Sequence, residues 1–212
     1  RVRCLRYKDI DHTAEVSGDT IRDALEIGRR VLNVDGMKKY YEVKDSSLMA
    51  LISGKSIRHV KANEELNFTA HESETVAIVG ESGCGKSTFA KVLMGLETGT
   101  EGEIRHHGNE ITDIEVRDRS TEQIRSLQMV FQNPFDTLNP SHSIGGQISR
   151  VIKQFGVETD KKKIFSRVMT LLDTVKLPRD FYFRKPRQLS GGQKQRIGIA
   201  RAFAGNPSIV IA

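Results

Sequence analysis

The sequence predicts an α/β fold, because its segments alternate between strand and helix periodicity. Residues 31–43, VLNVDGMKKYYEV, alternate in polarity as antiparallel strands with one solvated face do. The β-branched run TVAIVG at residues 75–80 has the composition of a strand buried in a parallel sheet, and it leads through a glycine-rich turn into a helical pattern. Two helical patterns follow between Ile144 and Val175, before PSIVIA at residues 207–212 opens another strand. Together they predict an α/β core with an antiparallel β-subdomain and an inserted α-helical subdomain.

The predicted elements divide the chain into four segments. We expect a charged linker or tail, then the β-subdomain with the first part of the core, then the helical subdomain, and finally a helix and a core strand, at residues 1–30, 31–132, 133–189 and 190–212. Within them, IRHV, LNF and LQMVF predict further strands, and KDSSLMALISGKS predicts an exposed loop. KSTFAKVLMGLE and GGQKQRIGIARAFAG predict helices.

Composition and charge exclude several classes of protein. The 212 residues carry a net charge of +6, which suits anionic partners, but the basic residues are scattered, so we expect no nucleic-acid partner. No apolar run approaches the roughly 18 residues that a membrane span needs, and no signal-peptide pattern opens the chain. Cys4 and Cys84 are therefore expected to be reduced thiols in a soluble, cytosolic chain.

A phosphate-binding loop is predicted directly after the run at 75–80. The stretch GESGCGKST matches the pattern G-x-x-x-x-G-K-[ST] in the strand-to-helix context that the pattern requires. Its glycines let backbone N–H groups surround phosphate oxygens, Lys86 adds a positive charge, and Ser87 offers a hydroxyl to Mg²⁺. Cys84 is either a reactive thiol at a helix start or a small residue that fits the loop. The candidate nucleotide-binding residues are Gly80, Glu81, Ser82, Gly83, Cys84, Gly85, Lys86, Ser87 and Thr88.

A second anion site is predicted in LSGGQKQR, residues 189–196. Ser190 is a good N-cap, and the two glycines after it leave N–H groups unobstructed at the start of a helix. The first loop already holds one nucleotide. The second site therefore either serves a nucleotide bound by another subunit or is a capped helix start without a ligand. Its candidate residues are Ser190, Gly191, Gly192 and Gln193.

Three stretches together resemble the ATP-binding subunit of ABC transporters. GESGCGKST is similar to the Walker A loop of that family, MVFQNPFDTLNP to its Q-loop and LSGGQKQRIGIARAF to its signature, in the family's order. The resemblance covers about residues 31–212. It implies a P-loop NTPase fold with a RecA-like core, ATP and Mg²⁺ as ligands, and two subunits that hold two ATP molecules between the Walker A loop of one and the signature of the other.

The resemblance also implies individual roles. Tyr41 is expected to stack on adenine, with Tyr40 as second choice, or else to pack as an ordinary strand aromatic. Gln132 is expected to bind Mg²⁺ or the attacking water, or else to bond only to backbone. Lys86 and Gln132 are therefore the candidate catalytic residues, and Ser87 and Gln132 are the candidate metal ligands. The helical block at 133–189 is expected to face a membrane permease.

FQNPFDTLNP and the loop after the first strand most resemble the peptide-importer branch, whose members handle dipeptides, oligopeptides, nickel or glutathione. That resemblance implies ATP hydrolysis coupled to import, integral membrane permease subunits as direct partners and a solute-binding protein as an indirect one. It also implies a peripheral location on the cytoplasmic face of the cell membrane. The alternatives are a non-transport ABC ATPase of DNA repair or translation, a P-loop kinase and a hydrolysis-deficient fragment.

Both ends of the sequence favour a fragment. RVRCLRYKDI resembles the C-terminal tail of peptide-importer ATPase subunits, so residues 1–30 are either a linker or the tail of a preceding ATPase domain. IVIA at the end resembles the Walker B strand, truncated before the Asp and Glu that follow it in the family, and the later switch His is also missing. We therefore expect the chain as written to fold poorly and to hydrolyse ATP negligibly. The adjacent His106 and His107 are expected to lie in a polar hairpin rather than to bind a metal.

Overall fold

A computed structural model describes residues 28–44, 57–133 and 137–212 of the chain. The predicted tail, up to residue 27, lies outside the described residues, as does nearly all of the predicted loop at 44–56. Among the described residues the strands and helices separate into a β-subdomain, a pair of parallel strands and a helical block.

The β-subdomain is a four-stranded antiparallel sheet in the order β2-β1-β3-β4. Its long central strand is β1 (Arg30–Lys44), as the alternation of polarity predicted. The predicted separate strands IRHV and LNF are wrong, because both belong to one strand, β2 (Ile57–His71). The polar residues between them lie where the β1–β2 register shifts, and Glu65 there has φ = 55°. A bulge, and not a loop, therefore interrupts the apolar pattern.

The hairpin of β3 (Glu101–His106) and β4 (Asn109–Glu110) completes the sheet. Its turn is formed by His107 and Gly108, both with positive φ, which matches the twist of antiparallel strands. His106 is 3% exposed whereas His107, in the turn, is exposed, but their ring centroids are only 4.5 Å apart, so the two side chains do not point to opposite faces. Within the described residues no group of three His, Cys, Asp or Glu side chains could hold a metal ion.

Helix α1 (Lys86–Leu93) packs against this sheet through one face. Its apolar residues fall three and four positions apart, so they form a single stripe. The stripe joins buried residues of β1, β3 and β5 in one core, made of Leu32, Val34, Met37, Phe89, Val92, Leu93, Ile104, Ile111 and Leu127.

Two short parallel strands lie at the other side of this core. Helix α2 (Thr121–Ser126) runs directly into β5 (Leu127–Met129), and β5 pairs with β6 (Ile209–Ile211) in parallel. Both strands begin within the predicted apolar runs LQMVF and PSIVIA, which confirms those two strands.

The strand predicted at residues 75–80 is wrong. The structure has no strand there, and Val76, Ile78 and Val79 are 41%, 46% and 91% exposed. The sequence pattern indicated burial between two other strands of a parallel sheet. No described strand flanks this segment, however, and its backbone makes no ladder hydrogen bonds within the described residues. A β-branched run without neighbours to pair with remains an extended connection.

The helical block has a core of its own. Helices α3 (Ile144–Gln154) and α4 (Lys161–Thr174) start at the side-chain caps Ser143 and Asp160, and both confirm the predicted helices. Single-turn 3-10 helices at Arg179–Phe183 and Pro186–Gln188 lead to α5 (Gly191–Phe203). No described helix is long and apolar enough to cross a bilayer. The core residues are Leu138, Ile144, Ile148, Ile152, Ile164, Val168, Leu171, Leu172, Leu177, Phe181, Leu189, Ile197, Ala200 and Ala204.

Candidate functional site

The phosphate loop, residues 80–88, ends at the exposed start of helix α1. Gly85 is the N-cap of that helix, with φ = 92°, and no side chain caps the first turn. The first turn also contains no acidic residue. Its N–H groups, together with the positive end of the helix dipole, are therefore available to an anion.

Gly85 approaches strand β2 so closely that no other residue fits there. A Cβ atom on Gly85 would collide with the backbone oxygen of Ala62 and would also meet the amide nitrogen of Asn63. The left-handed φ adds a second reason for glycine. The loop therefore rests directly on β2.

Lys86 has its ammonium group folded over the loop. Its Nζ donates to the carbonyl oxygens of Gly80 and Glu81 at 2.7 Å each, and it lies 3.5 Å from the sulfur of Cys84. The charge therefore sits among the loop's own backbone, where it attracts an anion bound to the same amides. At about 4 Å and an effective dielectric constant near 20, such an attraction is worth on the order of 4 kcal/mol before desolvation.

The two candidate metal ligands are both accessible. Ser87, in the first turn of α1, is exposed, and its hydroxyl makes no hydrogen bond within the described residues. Gln132 follows β5, is exposed, and likewise makes no hydrogen bond within that part of the chain. Hydroxyl and amide oxygens are hard donors that suit Mg²⁺, so both residues fit that ion.

Tyr41 and Tyr40 point to opposite faces of β1, and Tyr41 faces helix α1. The Tyr41 hydroxyl donates a hydrogen bond to the carboxylate of Glu97, and the Nζ of Lys39 lies 5.0 Å from the centre of its ring. Burial, followed by the Glu97 carboxylate, raises the pKa of Tyr41, whereas the nearby hydroxyl of Thr88 opposes the shift. Tyr41 is thus held beside the last residue of the phosphate loop.

Tyr40 has different surroundings. Its hydroxyl donates to Glu64 at 3.3 Å, and Lys61 lies 5.5 Å from its ring centre. Both partners are on the exposed side of β2. Of the two tyrosines, only Tyr41 is therefore near the phosphate loop.

The second predicted anion site is a fully formed capping box. The Ser190 hydroxyl accepts from the backbone N–H of Gln193 at 3.3 Å, and the Gln193 side chain accepts from the Ser190 N–H at 2.9 Å. Gly191 and Gly192 are exposed, and a Cβ on Gly192 would meet no atom within 4 Å. The first turn is open, as an anion site requires. No hydrogen bond joins Ser190–Gln193 to the phosphate loop within the described residues.

Helix α5 also contacts both flanks of the segment that contains Gln132. Gln195 donates to the Phe131 carbonyl oxygen at 3.4 Å, and Arg201 donates to the Thr137 carbonyl oxygen. Burial lowers the pKa of Arg201. These contacts, like those of Asn63 and Glu97, are not predicted by the sequence. Each joins residues far apart in the chain, and no local pattern signals them.

The glycine-rich loop that leads into helix α1 is typical of P-loop nucleoside triphosphatases. The ABC transporter family matches residues 63–212, which is more than half of the chain. The chain belongs to the ABC transporter family.

Curated relatives and solved structures agree with this assignment. The chain is 37% identical over 182 residues to the oligopeptide transport ATP-binding protein OppF of Lactococcus lactis subsp. lactis (strain IL1403), covering 86% of this chain and 55% of that relative. It is 37% identical over 184 residues to the dipeptide transport ATP-binding protein DppF of Haemophilus influenzae (strain ATCC 51907 / DSM 11121 / KW20 / Rd), covering 86% and 53%. The chain thus spans about half the length of these relatives.

The fold resembles that of a solved ATP-binding cassette. The match is to the dimeric structure of a post-hydrolysis state of the cassette MJ0796 bound to ADP and Pi, with a TM-score of 0.69 and 28% sequence identity. It covers 84% of this chain and 72% of that one. This similarity supports the expected α/β fold.

Proposed function

We propose that this chain is the nucleotide-binding part of an ABC-type ATPase that couples MgATP binding and hydrolysis to import of peptides or related small solutes. The observation that carries the proposal is the presence of two open, glycine-rich helix starts in one chain, at Lys86 and at Gly191. A single nucleotide uses only the first. The names of the curated relatives favour peptides as the imported solute.

In this proposal the phosphate loop holds the triphosphate. The N–H groups of the loop and of the first turn of α1 bind phosphate oxygens, and Lys86 neutralises part of their charge. Ser87, with Gln132 as the second candidate ligand, would hold Mg²⁺, which would neutralise part of the phosphate charge. Tyr41 covers the adenine ring from its position beside Thr88.

Gln132 orients the attacking water in the proposed reaction. Its exposed side chain, without a hydrogen bond in the described part of the chain, is available for this. Gln195 holds the adjacent backbone at Phe131, so a displacement of α5 reaches Gln132 through this hydrogen bond. The reaction itself depends on positioning and charge stabilisation.

The second open helix start completes the site of a partner subunit. Ser190, Gly191, Gly192 and Gln193 present the first turn of α5, whose N–H groups and helix dipole favour a phosphate. A dimer in which each subunit lends this turn to the nucleotide of the other uses both anion sites.

The helical block provides a surface for a membrane permease. A groove of about 790 Å³ lies between α3 and α4 and has no acidic residue among those that line it. Three cations line it, and none has an ion-pair partner within the described residues. The groove therefore favours an acidic segment of the permease, which would place the protein on the cytoplasmic face of the membrane. The three cations are Arg150, Lys153 and Lys161.

Nucleotide titration tests the central part of the proposal. Isothermal titration of the purified chain with MgATP is expected to give saturable binding that Lys86→Ala weakens by at least about tenfold. Lys162→Ala, a change at an exposed lysine outside the loop, is the matched control and is expected to leave the Kd unchanged. Absence of binding, or equal binding by the Lys86→Ala variant, would contradict the proposal.

A further inference from the structure

The most unusual buried polar side chain near the phosphate loop is Asn63 of strand β2. It is 6% exposed, and it lies opposite Lys39, where the β1–β2 register shifts on both sides. Its Nδ2 donates to the carbonyl oxygen of Gly85 at 3.1 Å. Strand β2 thus reaches the N-cap of α1 through a side chain as well as through its backbone.

The other polar atom of Asn63 has no hydrogen-bond partner within the described residues. Its Oδ1 is buried, so the side chain bears a desolvation cost that an apolar residue of similar size would not. Stability alone therefore does not favour asparagine here. What the side chain gains is one hydrogen bond, made to the backbone of the phosphate loop.

That bond helps to hold the direction of a phosphate-binding group. The carbonyl of Gly85 and the N–H of Lys86 belong to one planar trans peptide, so they point in opposite directions. The N–H of Phe89 also donates to the Gly85 oxygen, at 2.9 Å. With two donors on its oxygen, the peptide cannot rotate freely, and the N–H of Lys86 stays directed at the loop.

We infer that Asn63 is a positioning residue for the phosphate loop, which increases affinity for the triphosphate at the expense of stability. The inference rests on the proposed function, since it concerns the same nucleotide site. Asn63 acts through the Gly85–Lys86 peptide and is assigned no contact with the nucleotide. The pattern is a trade of stability for function at a binding site.

Two substitutions at Asn63 distinguish a role in orienting the Gly85–Lys86 peptide from a role in packing. Asn63→Leu keeps the branched shape with the same number of heavy atoms and removes both polar atoms, so we expect thermal stability close to that of the wild type together with about fivefold weaker MgATP binding. Asn63→Asp keeps the shape but replaces the donor with a carboxylate that repels the Gly85 oxygen and the phosphates, so we expect a loss of about tenfold or more. A packing role predicts the reverse order, with the isosteric Asp variant closer to the wild type.

The ¹³C resonance of the Gly85 carbonyl reports on its hydrogen bond from Asn63. If Asn63 only packed, this resonance would not change. Labelling with ¹³C-carbonyl glycine and ¹⁵N-lysine selects Gly–Lys peptides, and the sequence has only two, Gly54–Lys55 and Gly85–Lys86. Loss of the donor in Asn63→Leu is expected to shift the Gly85 carbonyl resonance upfield while the Gly54 resonance stays in place. Asn67→Leu, the same change on the same strand, is the matched control and is expected to alter neither the Gly85 resonance nor the affinity.

The outcomes distinguish this inference from the proposed function. If the wild-type chain does not bind MgATP, or binds it independently of Lys86, the proposed function fails. If the wild type binds through Lys86 and Asn63→Leu has the same affinity and the same Gly85 resonance, only the inference about Asn63 is overturned. Weaker binding with an unmoved Gly85 resonance also overturns it, and the Gly85 resonance of Asn63→Asp, which also lacks the donor, supplies the comparison if the Leu variant does not fold.

Discussion

The Tyr41 hydroxyl donates a hydrogen bond to the Glu97 carboxylate and so ties strand β1 to the segment that follows helix α1. Glu97 in turn accepts from Lys91 of α1 at 3.2 Å. The aromatic ring is therefore fixed relative to the helix whose first turn forms the phosphate loop. A stacking residue fixed in this way loses little conformational entropy when a base binds.

Removing the Tyr41 ring should therefore weaken adenine-nucleotide binding. Tyr41→Ala is expected to raise the Kd for MgATP by about tenfold, in line with stacking energies of 1–3 kcal/mol per base. Tyr41→Phe, which keeps the ring but loses the bond to Glu97, should have a smaller effect. Titration with MgATP measures both, and Tyr40→Ala is the matched control on the opposite face of the strand. An equal loss for Tyr40→Ala would contradict the assignment of Tyr41.

Ser190 has two roles, as the cap of helix α5 and as a proposed part of the partner's nucleotide site, and mutation can separate them. Ser190→Ala should cost about 1 kcal/mol of stability through loss of the cap, and it should also weaken ATP-dependent dimerisation. Ser120 forms the same box with Gln123 at the start of α2, so Ser120→Ala should cost a similar amount of stability without affecting dimerisation. Denaturant unfolding and analytical ultracentrifugation with MgATP measure the two effects. If both variants dimerise equally well, the partner-site role of Ser190 is wrong.

His106 should make stability depend on pH. Burial, then the charges of His107 and Arg119, lowers the pKa of His106 from 6.5 to about 4. The unfolded chain therefore binds more protons than the native chain between pH 6.5 and about 4, so stability should be full above pH 6.5 and fall as the pH drops towards 4. The free energy of unfolding should fall by at most about 3 kcal/mol over this range. Urea unfolding of the wild type and of His106→Gln across this range measures it.

The control for that measurement follows from the partners of His106. Its Nε2 lies 3.0 Å from the Ser208 hydroxyl, and Ser126 lies 3.5 Å from its Nδ1. Glutamine can hydrogen-bond to these hydroxyls but does not titrate. The stability of His106→Gln should therefore lack the fall between pH 6.5 and 4 that His106 causes in the wild type. A wild-type profile identical in slope to that of the variant would show that His106 is not protonated on unfolding.

Arg119 should be essential to the first core. Arg119 is 6% exposed, its guanidinium donates to the backbone oxygens of Leu93, Ile111 and Ile114, and no carboxylate pairs with it within the described residues. Arg119→Met leaves these carbonyls without a donor and should cost about 2 to 4 kcal/mol in chemical unfolding. Arg119→Lys should recover less than half of the stability that Arg119→Met loses, because an ammonium group cannot reproduce the planar arrangement of guanidinium donors. A loss below about 1 kcal/mol would mean that other donors reach the carbonyls.

Local patterns predicted those features that depend on neighbours in sequence. Helices α1, α3 and α4 depend on apolar spacing within each helix, which the sequence displays directly. The run at 75–80 failed because a strand is buried only when other strands flank it, which no local pattern specifies. The single strand β2 was missed because a bulge and a loop have similar polar composition.

The contacts around the site depend on pairing between distant segments. Asn63 and Gly85 are 22 residues apart, and Tyr41 and Glu97 are 56 apart. An asparagine in a strand and a glutamate after a helix are both ordinary in composition. Only the three-dimensional structure shows that each has a partner in or beside the phosphate loop.

Helix α5 and strand β6 are consecutive in the chain but belong to different cores. The helix buries Ile197 and Ala200 among α3 and α4, whereas β6 pairs with β5 beside the sheet. The connection between the last helical residue and the first strand residue is only five residues long, 204–208. This short connection links the helical core directly to the pair of parallel strands. A displacement of the helical core relative to this strand must either distort those five residues or move the strand itself.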